Sequence, residues 1–188
     1  TGFVQVHLYR PFDVSRFLSA IPETCRKIAV LDRTKEYGSA GEPLYADVCT
    51  ALRGRGDLTV IGGRYGLSSK DTTPAQILAV FEELNKENPK NRFTIGITDD
   101  VTGTSLEVHE PFYPEQGKSV SCKFWGLGSD GTVGANKNTV QIINDHTDKF
   151  AQAYFEYDTT KSFGLTRSHL RFSDKPIRST YYVKSADF

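Results

Sequence analysis

The sequence has no methionine, a single tryptophan, three cysteines and no net charge. Each shortage excludes something. Basic and acidic residues balance at 23 each, so there is no basic surplus with which to hold nucleic acid or an anionic membrane as the main partner. No apolar run approaches the ~18 residues that span a bilayer. The first residues, T-G-F-V, read as the opening of a strand and not as a signal peptide. Cys25, Cys49 and Cys122 are widely spaced, form no C-x-x-C, and lie near no histidine at ligand spacing. Zinc or iron–sulfur ligation within the chain is therefore not expected, and three reduced thiols of a cytoplasmic protein are. The missing initiator methionine predicts a piece cut from a longer protein. What is present, 38% hydrophobic and 24% charged residues over 188 positions, suits one large or two small globular domains.

Taken in order, residues 2–9 alternate as a strand and end at Pro11. Asp13 is placed to cap a short helix carrying Val14, Phe17 and Leu18. Residues 27–32 (K-I-A-V-L-D) and 58–63 (L-T-V-I-G-G) are continuous apolar runs, as expected of parallel strands covered on both faces. Between them a helix is expected over 44–52. Thr73-Pro74-Ala75-Gln76 is a capping box with proline at the first helical position, and residues 93–97 make a fourth strand. Four β units alternating with helices predict an α/β domain with an open, mostly parallel sheet, ending near residue 105. Residues 106–118 carry two prolines and no periodicity, and read as a linker. Residues 119–125 then begin a second α/β domain. A helix to about His146 and a strand over 150–157 complete one βαβ unit. One or two further strands follow, around Leu170, Phe172 and 181–183. The chain stops without a terminating helix, so this second domain, 119–188, is expected to be truncated.

Chemistry concentrates in residues 123–137, K-F-W-G-L-G-S-D-G-T-V-G-A-N-K. An apolar run, a glycine turn and a helix start let backbone N–H groups approach an anion. Gly126, Gly128 and Gly131 match the dinucleotide fingerprint, with Glu156 or Asp158 at about the separation of its ribose-binding acid. A P-loop is excluded, because Thr132-Val133 stands where Lys-Ser is needed, and so is a nucleophile elbow at Ser129. The alternative is a tight strand-to-helix turn that needs glycine only for packing. Residues 62–70, G-G-R-Y-G-L-S-S-K, leave the carboxyl end of a strand, where open α/β sheets place ligands. A glycine turn pinning a neighbouring domain is the rival reading there. His7, His109, His146 and His169 are scattered and read as surface or packing residues. Asp99-Asp100 and Arg55-Gly56-Asp57 read as turns.

The chain also closely resembles the pyruvate:ferredoxin (flavodoxin) oxidoreductases. The resemblance rests on H-L-Y-R-P-F (7–12), I-A-V-L-D-R-T-K-E (28–36), G-E-P-L-Y-A-D-V (41–48), G-G-R-Y-G-L-S-S-K (62–70), D-D-V-T (99–102), K-F-W-G-L-G-S-D-G-T-V-G-A-N-K-N (123–138) and S-H-L-R-F (168–172). It implies that residues 1–105 are a domain similar to the transketolase C-terminal domain, and that 119–188 are the start of a γ-type domain associated with coenzyme A (CoA). It implies a dimeric parent enzyme that oxidises pyruvate with CoA to acetyl-CoA and CO2 and passes electrons to ferredoxin or flavodoxin. Thiamine diphosphate and [4Fe-4S] clusters would be held outside this chain, which would carry no catalytic residue. By position, Gly128, Ser129, Asp130, Gly131, Thr132 and Val133 would line the CoA diphosphate, with Lys137 and Asn138 close by. Lys161 and Ser162 would form the opposite wall. Asp130 would turn away from the phosphates, capping the helix or bonding Lys137.

Overall fold

The computed structural model describes residues 1–98, 101–109, 112, 118–158 and 164–188. The chain divides into two compact units, Thr1–Phe112 and Tyr113–Phe188. In the first unit the elements run α1 (Val14–Ser19), β1 (Lys27–Asp32), α2 (Pro43–Ala51), β2 (Thr59–Arg64), α3 (Pro74–Asn85) and β3 (Phe93–Thr94). The strands form a parallel sheet in the order β1-β2-β3. The local signals act as read. Asp13 accepts the Arg16 N–H at 3.0 Å, and Thr73 and Gln76 cap each other reciprocally at the start of α3. Asp32, at the end of β1, accepts the N–H groups of Leu44 and Tyr45 at 2.9 and 3.0 Å and so caps α2.

Two apolar clusters cover the two faces of this sheet. Ile61, Phe93 and Ile95 pack with Ala79, Val80 and Leu84 of α3, while Val30 packs with Phe17 of α1 and Val48 and Leu52 of α2. Burial on both faces is why β1 and β2 have no polar alternation. It also explains Gly62 and Gly63. A Cβ at Gly62 would stand 2.8 Å from the Tyr45 ring, and one at Gly63 would collide with the ring of Phe93. These glycines serve ring packing.

Two expectations for this unit need correction. Residues 2–9 form no strand: Phe3 and Leu8 are 83% and 73% exposed, and no strand is assigned there. Alternation gives a segment two faces but no neighbour, and an extended chain without a ladder is not held. The fourth expected strand shrinks to Phe93–Thr94, because Gly96 turns to a positive φ of 81°. Beyond the expected end near residue 105, Leu106 donates to the Thr94 carbonyl at 3.0 Å, and Val108 packs on the Phe93 cluster. Most of the expected linker, and Asp99-Asp100, lie outside the described residues.

The second unit runs β4 (Ser119–Leu127), α4 (Thr132–His146), β5 (Phe150–Tyr157) and β6 (Leu165–Ser173). Its sheet order is β4-β6-β5, with β6 antiparallel to both neighbours. The expected βαβ unit is therefore split: β4 and β5 point the same way but do not touch. β6 runs back along β5 and occupies the place a parallel partner would take. The α/β character holds, and the second sheet is antiparallel by pairing. Residues 181–183 are not a strand.

Helix α4 packs on the face carrying Gly126, Phe155 and Leu170, as the approach of Thr132 to Gly126 and of Lys137 to the Phe155 ring shows. The opposite face carries Lys123, Trp125, Leu127, Glu156, Arg167, His169 and Arg171. Its lower half is covered by the C-terminal segment. Tyr182 stacks on His169 at 4.5 Å, the Val183 N–H donates to His169 Nδ1 at 3.1 Å, and Arg171 donates to the Tyr181 carbonyl at 2.6 Å.

Candidate functional site

The glycine turn joins β4 to α4 across the end of the second sheet, and each glycine has its own reason. Gly128 and Gly131 have φ of 58° and 86°, left-handed values that favour glycine. Gly126 is crowded instead: a Cβ there would stand 2.8 Å from the Thr132 hydroxyl and 2.9 Å from both Asp130 oxygens. Gly131 is the N-cap of α4, and its carbonyl accepts the Ala135 N–H at 3.0 Å, the first rung of the helix.

Asp130 governs the electrostatics here. One carboxylate oxygen accepts the Leu127 N–H and the other the Thr132 N–H, both at 2.9 Å. The Thr132 N–H, followed by its hydroxyl and the Leu127 N–H, holds the carboxyl below the ordinary aspartate range. A carboxylate thus already sits at the positive end of the helix, as the helix dipole favours. Val133 and Gly134 are the next first-turn residues, whose N–H groups have no intrahelical acceptor. Lys137 is exposed and directs its ammonium over the Phe155 ring, 5.6 Å from the centroid, and makes no bond to Asp130. Asn138 is exposed beside it, and Ser129 forms the exposed tip of the turn. Lys161 and Ser162 lie outside the described residues. The Gly164 carbonyl accepts the Gly128 N–H at 3.1 Å.

The dinucleotide pattern does not carry its geometry. That fold needs its third glycine for close helix–strand packing, but a Cβ at Gly131 would meet nothing within 4 Å. Glu156, the candidate ribose acid, is engaged by Arg167 at 2.7 Å and faces His169 Nε2 at 3.5 Å. Burial, then the nearby Lys123 charge, depress the His169 pKa, with Glu156 opposing them.

Sequence reasoning passed over three residues. Asn136 was hidden inside G-A-N-K; it is 2% exposed under α4, and neither amide atom has a protein partner. Its signal was the i+4 spacing from Thr132, which puts it on the sheet-facing stripe. Ser168, on the sheet face that α4 covers, is likewise buried with an unpartnered hydroxyl. His169, read as scattered, is 1% exposed and bridges the sheet to the C-terminal segment. All three cysteines are free, and burial raises the Cys122 thiol pKa. Among the described residues no group of three or more His, Cys, Asp or Glu could hold a metal, and no helix is long and apolar enough to cross a membrane.

This is an α/β protein whose second unit offers a glycine turn at a helix start. Residues 121–188, nearly all of that unit, match the family model described as pyruvate ferredoxin/flavodoxin oxidoreductase. Over 187 residues and 99% of its length, the chain is 56% identical to the pyruvate:ferredoxin oxidoreductase of Moorella thermoacetica, of which it covers 16%. It is 54% identical over its whole length to a Nostoc pyruvate-flavodoxin oxidoreductase, covering 17% of that protein. It is 51% identical to the mitochondrial pyruvate dehydrogenase [NADP(+)] of Euglena gracilis, covering 11%. Nearly the whole chain is thus similar to one part of the pyruvate:ferredoxin and pyruvate-flavodoxin oxidoreductases. It spans about a sixth of the first two of these enzymes.

Proposed function

We propose that this chain is a structural and CoA-binding part of a 2-oxoacid oxidoreductase that decarboxylates pyruvate oxidatively, forms acetyl-CoA and CO2, and reduces ferredoxin or flavodoxin. The carrying observation is the turn from β4 into α4, with left-handed glycines at 128 and 131 and a first helical turn that presents N–H donors. In this reading residues 1–105 are the transketolase C-terminal-like domain and 119–188 the start of the γ-type domain. The CoA diphosphate sits on the N–H groups of Val133 and Gly134, since Asp130 already takes that of Thr132. Like charge keeps the phosphates off Asp130. Lys137 swings from the Phe155 ring to add a countercharge, and Thr132 and Asn138 flank the site.

The chemistry of electron transfer lies elsewhere in the parent enzyme. In this reading [4Fe-4S] clusters and thiamine diphosphate are held by other parts of a homodimeric, cytoplasmic parent enzyme. The chain alone has no activity. A second reading, a docking module without ligand, is favoured by Gly126, whose absent side chain makes room for Asp130 and Thr132.

Calorimetric titration of the chain with CoA, 3′-dephospho-CoA and NAD separates these readings. CoA binding that Gly131→Val and Lys137→Ala both weaken is expected. Heat with no ligand selects the docking module, and a preference for NAD that Glu156→Ala abolishes overturns the proposal.

A further inference from the structure

The outer edge of β4 is only partly occupied. β6 takes the other side of β4 along its whole length, from Ser119 to Leu127, without a bulge. Backbone groups alternate in direction along a strand, so the residues that face away from β6 are Ser121, Lys123, Trp125 and Leu127. At the lower end Asp187 and Phe188 fill this edge. The Asp187 N–H donates to the Ser121 carbonyl at 2.8 Å and the Lys123 N–H to the Phe188 carbonyl at 3.0 Å, while the Ser121 N–H donates to the Asp187 carboxylate at 2.9 Å. At the upper end the Leu127 N–H is taken by Asp130. Between the two ends, the Lys123 carbonyl and both backbone groups of Trp125 have no partner among the described residues.

This open stretch is apolar on both faces. Trp125 and Leu127, on the face away from α4, are 57% and 67% exposed, and Phe124, on the face toward α4, is 36% exposed. Residues 124–129 hold neither charge nor proline, the residues that ordinarily blunt an exposed edge. Such an edge is a template for another strand. The direction is already set, because Asp187 and Phe188 run the same way as Ser121 and Lys123. We infer that the edge of β4 between Lys123 and Leu127 accepts a short parallel strand, apolar on both faces, that continues the pairing begun by Asp187 and Phe188. Its source is the longer polypeptide that the relatives represent, of which the chain covers 16% and 17%. Asp130 closes the far end of the site, which limits the added strand to about three residues (~10 Å). Once filled, β4 is an interior strand, and the added strand places a side chain beside the Trp125 indole.

The sole tryptophan is its own probe. The whole 188-residue chain is extended after Phe188 by Val-Ile-Val-Ile, and in a control by Gly-Ser-Gly-Ser. Amide exchange at Trp125, followed by NMR, and the Trp125 emission maximum are compared with those of the unextended chain. The apolar tail should slow Trp125 amide exchange about tenfold or more and move its emission to shorter wavelength. The Gly-Ser tail, which has no side chains to bury, should change neither. Leu127→Lys puts a charge on the docking face without altering the backbone donors, and should reduce the protection given by the apolar tail. Failure of the apolar tail to protect Trp125, or equal protection by both tails, overturns the inference. So does protection in the unextended chain that rises with its concentration, which assigns the edge to a second copy.

Discussion

Glu42 and Arg64 form a buried ion pair whose removal has a calculable consequence. Glu42 precedes α2 and Arg64 ends β2, with side chains 1% and 8% exposed. Arg64 Nη1 lies 3.7 Å from Glu42 Oε1, while Nη2 donates to the Arg92 carbonyl at 2.8 Å. Neither Glu42 oxygen receives a hydrogen bond, and Arg64 Nε has no acceptor. With an effective dielectric of about 20, unit charges 3.7 Å apart attract by about 4.5 kcal/mol. Removing both ions from water costs several kcal/mol each. The pair as a whole is therefore close to neutral, and half a pair is costly. Glu42→Gln preserves shape but leaves Arg64 buried without its counterion, at about 3–5 kcal/mol, against a typical domain stability of ~5–15 kcal/mol. Arg64→Met should cost a similar amount, and Glu42→Gln/Arg64→Met no more than either single change. Hydrogen exchange of the β1 and β2 amides, read by mass spectrometry, reports opening of this unit directly. A loss of 3 kcal/mol speeds exchange about 100-fold. Single variants that exchange less than about fivefold faster, or a double variant equal to the sum of its singles, would refute the reasoning.

Three further outcomes follow from the geometry. Gly63→Ala drives a Cβ into the fully buried Phe93 ring, and should cost about 1–3 kcal/mol in a urea titration; a stability equal to wild type would mean that the ring yields. His169 has a lowered pKa in the folded chain, so unfolding takes up a proton below pH ~6.5. The second unit should lose up to about 1.4 kcal/mol per pH unit on acidification through that window. His169→Gln should remove that slope in urea midpoints followed by Trp125 fluorescence at pH 5 and 7.5. Asp130→Asn removes the like charge beside the proposed diphosphate while keeping an acceptor for the Thr132 N–H. CoA affinity should rise up to about fivefold by calorimetry, and a fall would place the phosphates elsewhere.

Legibility followed the range of the interaction. The caps at Asp13 and Thr73, strands β1 and β5, and the start and end of α4 depend on residues a few positions apart, and the sequence displays them. The glycine turn was legible as a turn for the same reason, because positive φ at 128 and 131 is a local demand. Its electrostatics were less so. That Asp130 bonds Leu127 and Thr132, and not Lys137, was settled by the path of the backbone around Gly126.

The sequence by itself determined the resemblance to the oxidoreductases, the alternation of strands and helices, and where the backbone must accept glycine. Only the tertiary structure decided which strands are neighbours. Residues 2–9 have a strand's pattern without a partner, and β4 and β5 have a crossover helix yet are parted by β6. The physical reason is that period-two alternation fixes the faces of a strand, whereas pairing is fixed by edges that meet from distant parts of the chain. The same holds for buried polar groups. Asn136 and the Glu42–Arg64 pair look like surface residues in sequence, and they became interior ones only when the sheets and helices closed over them.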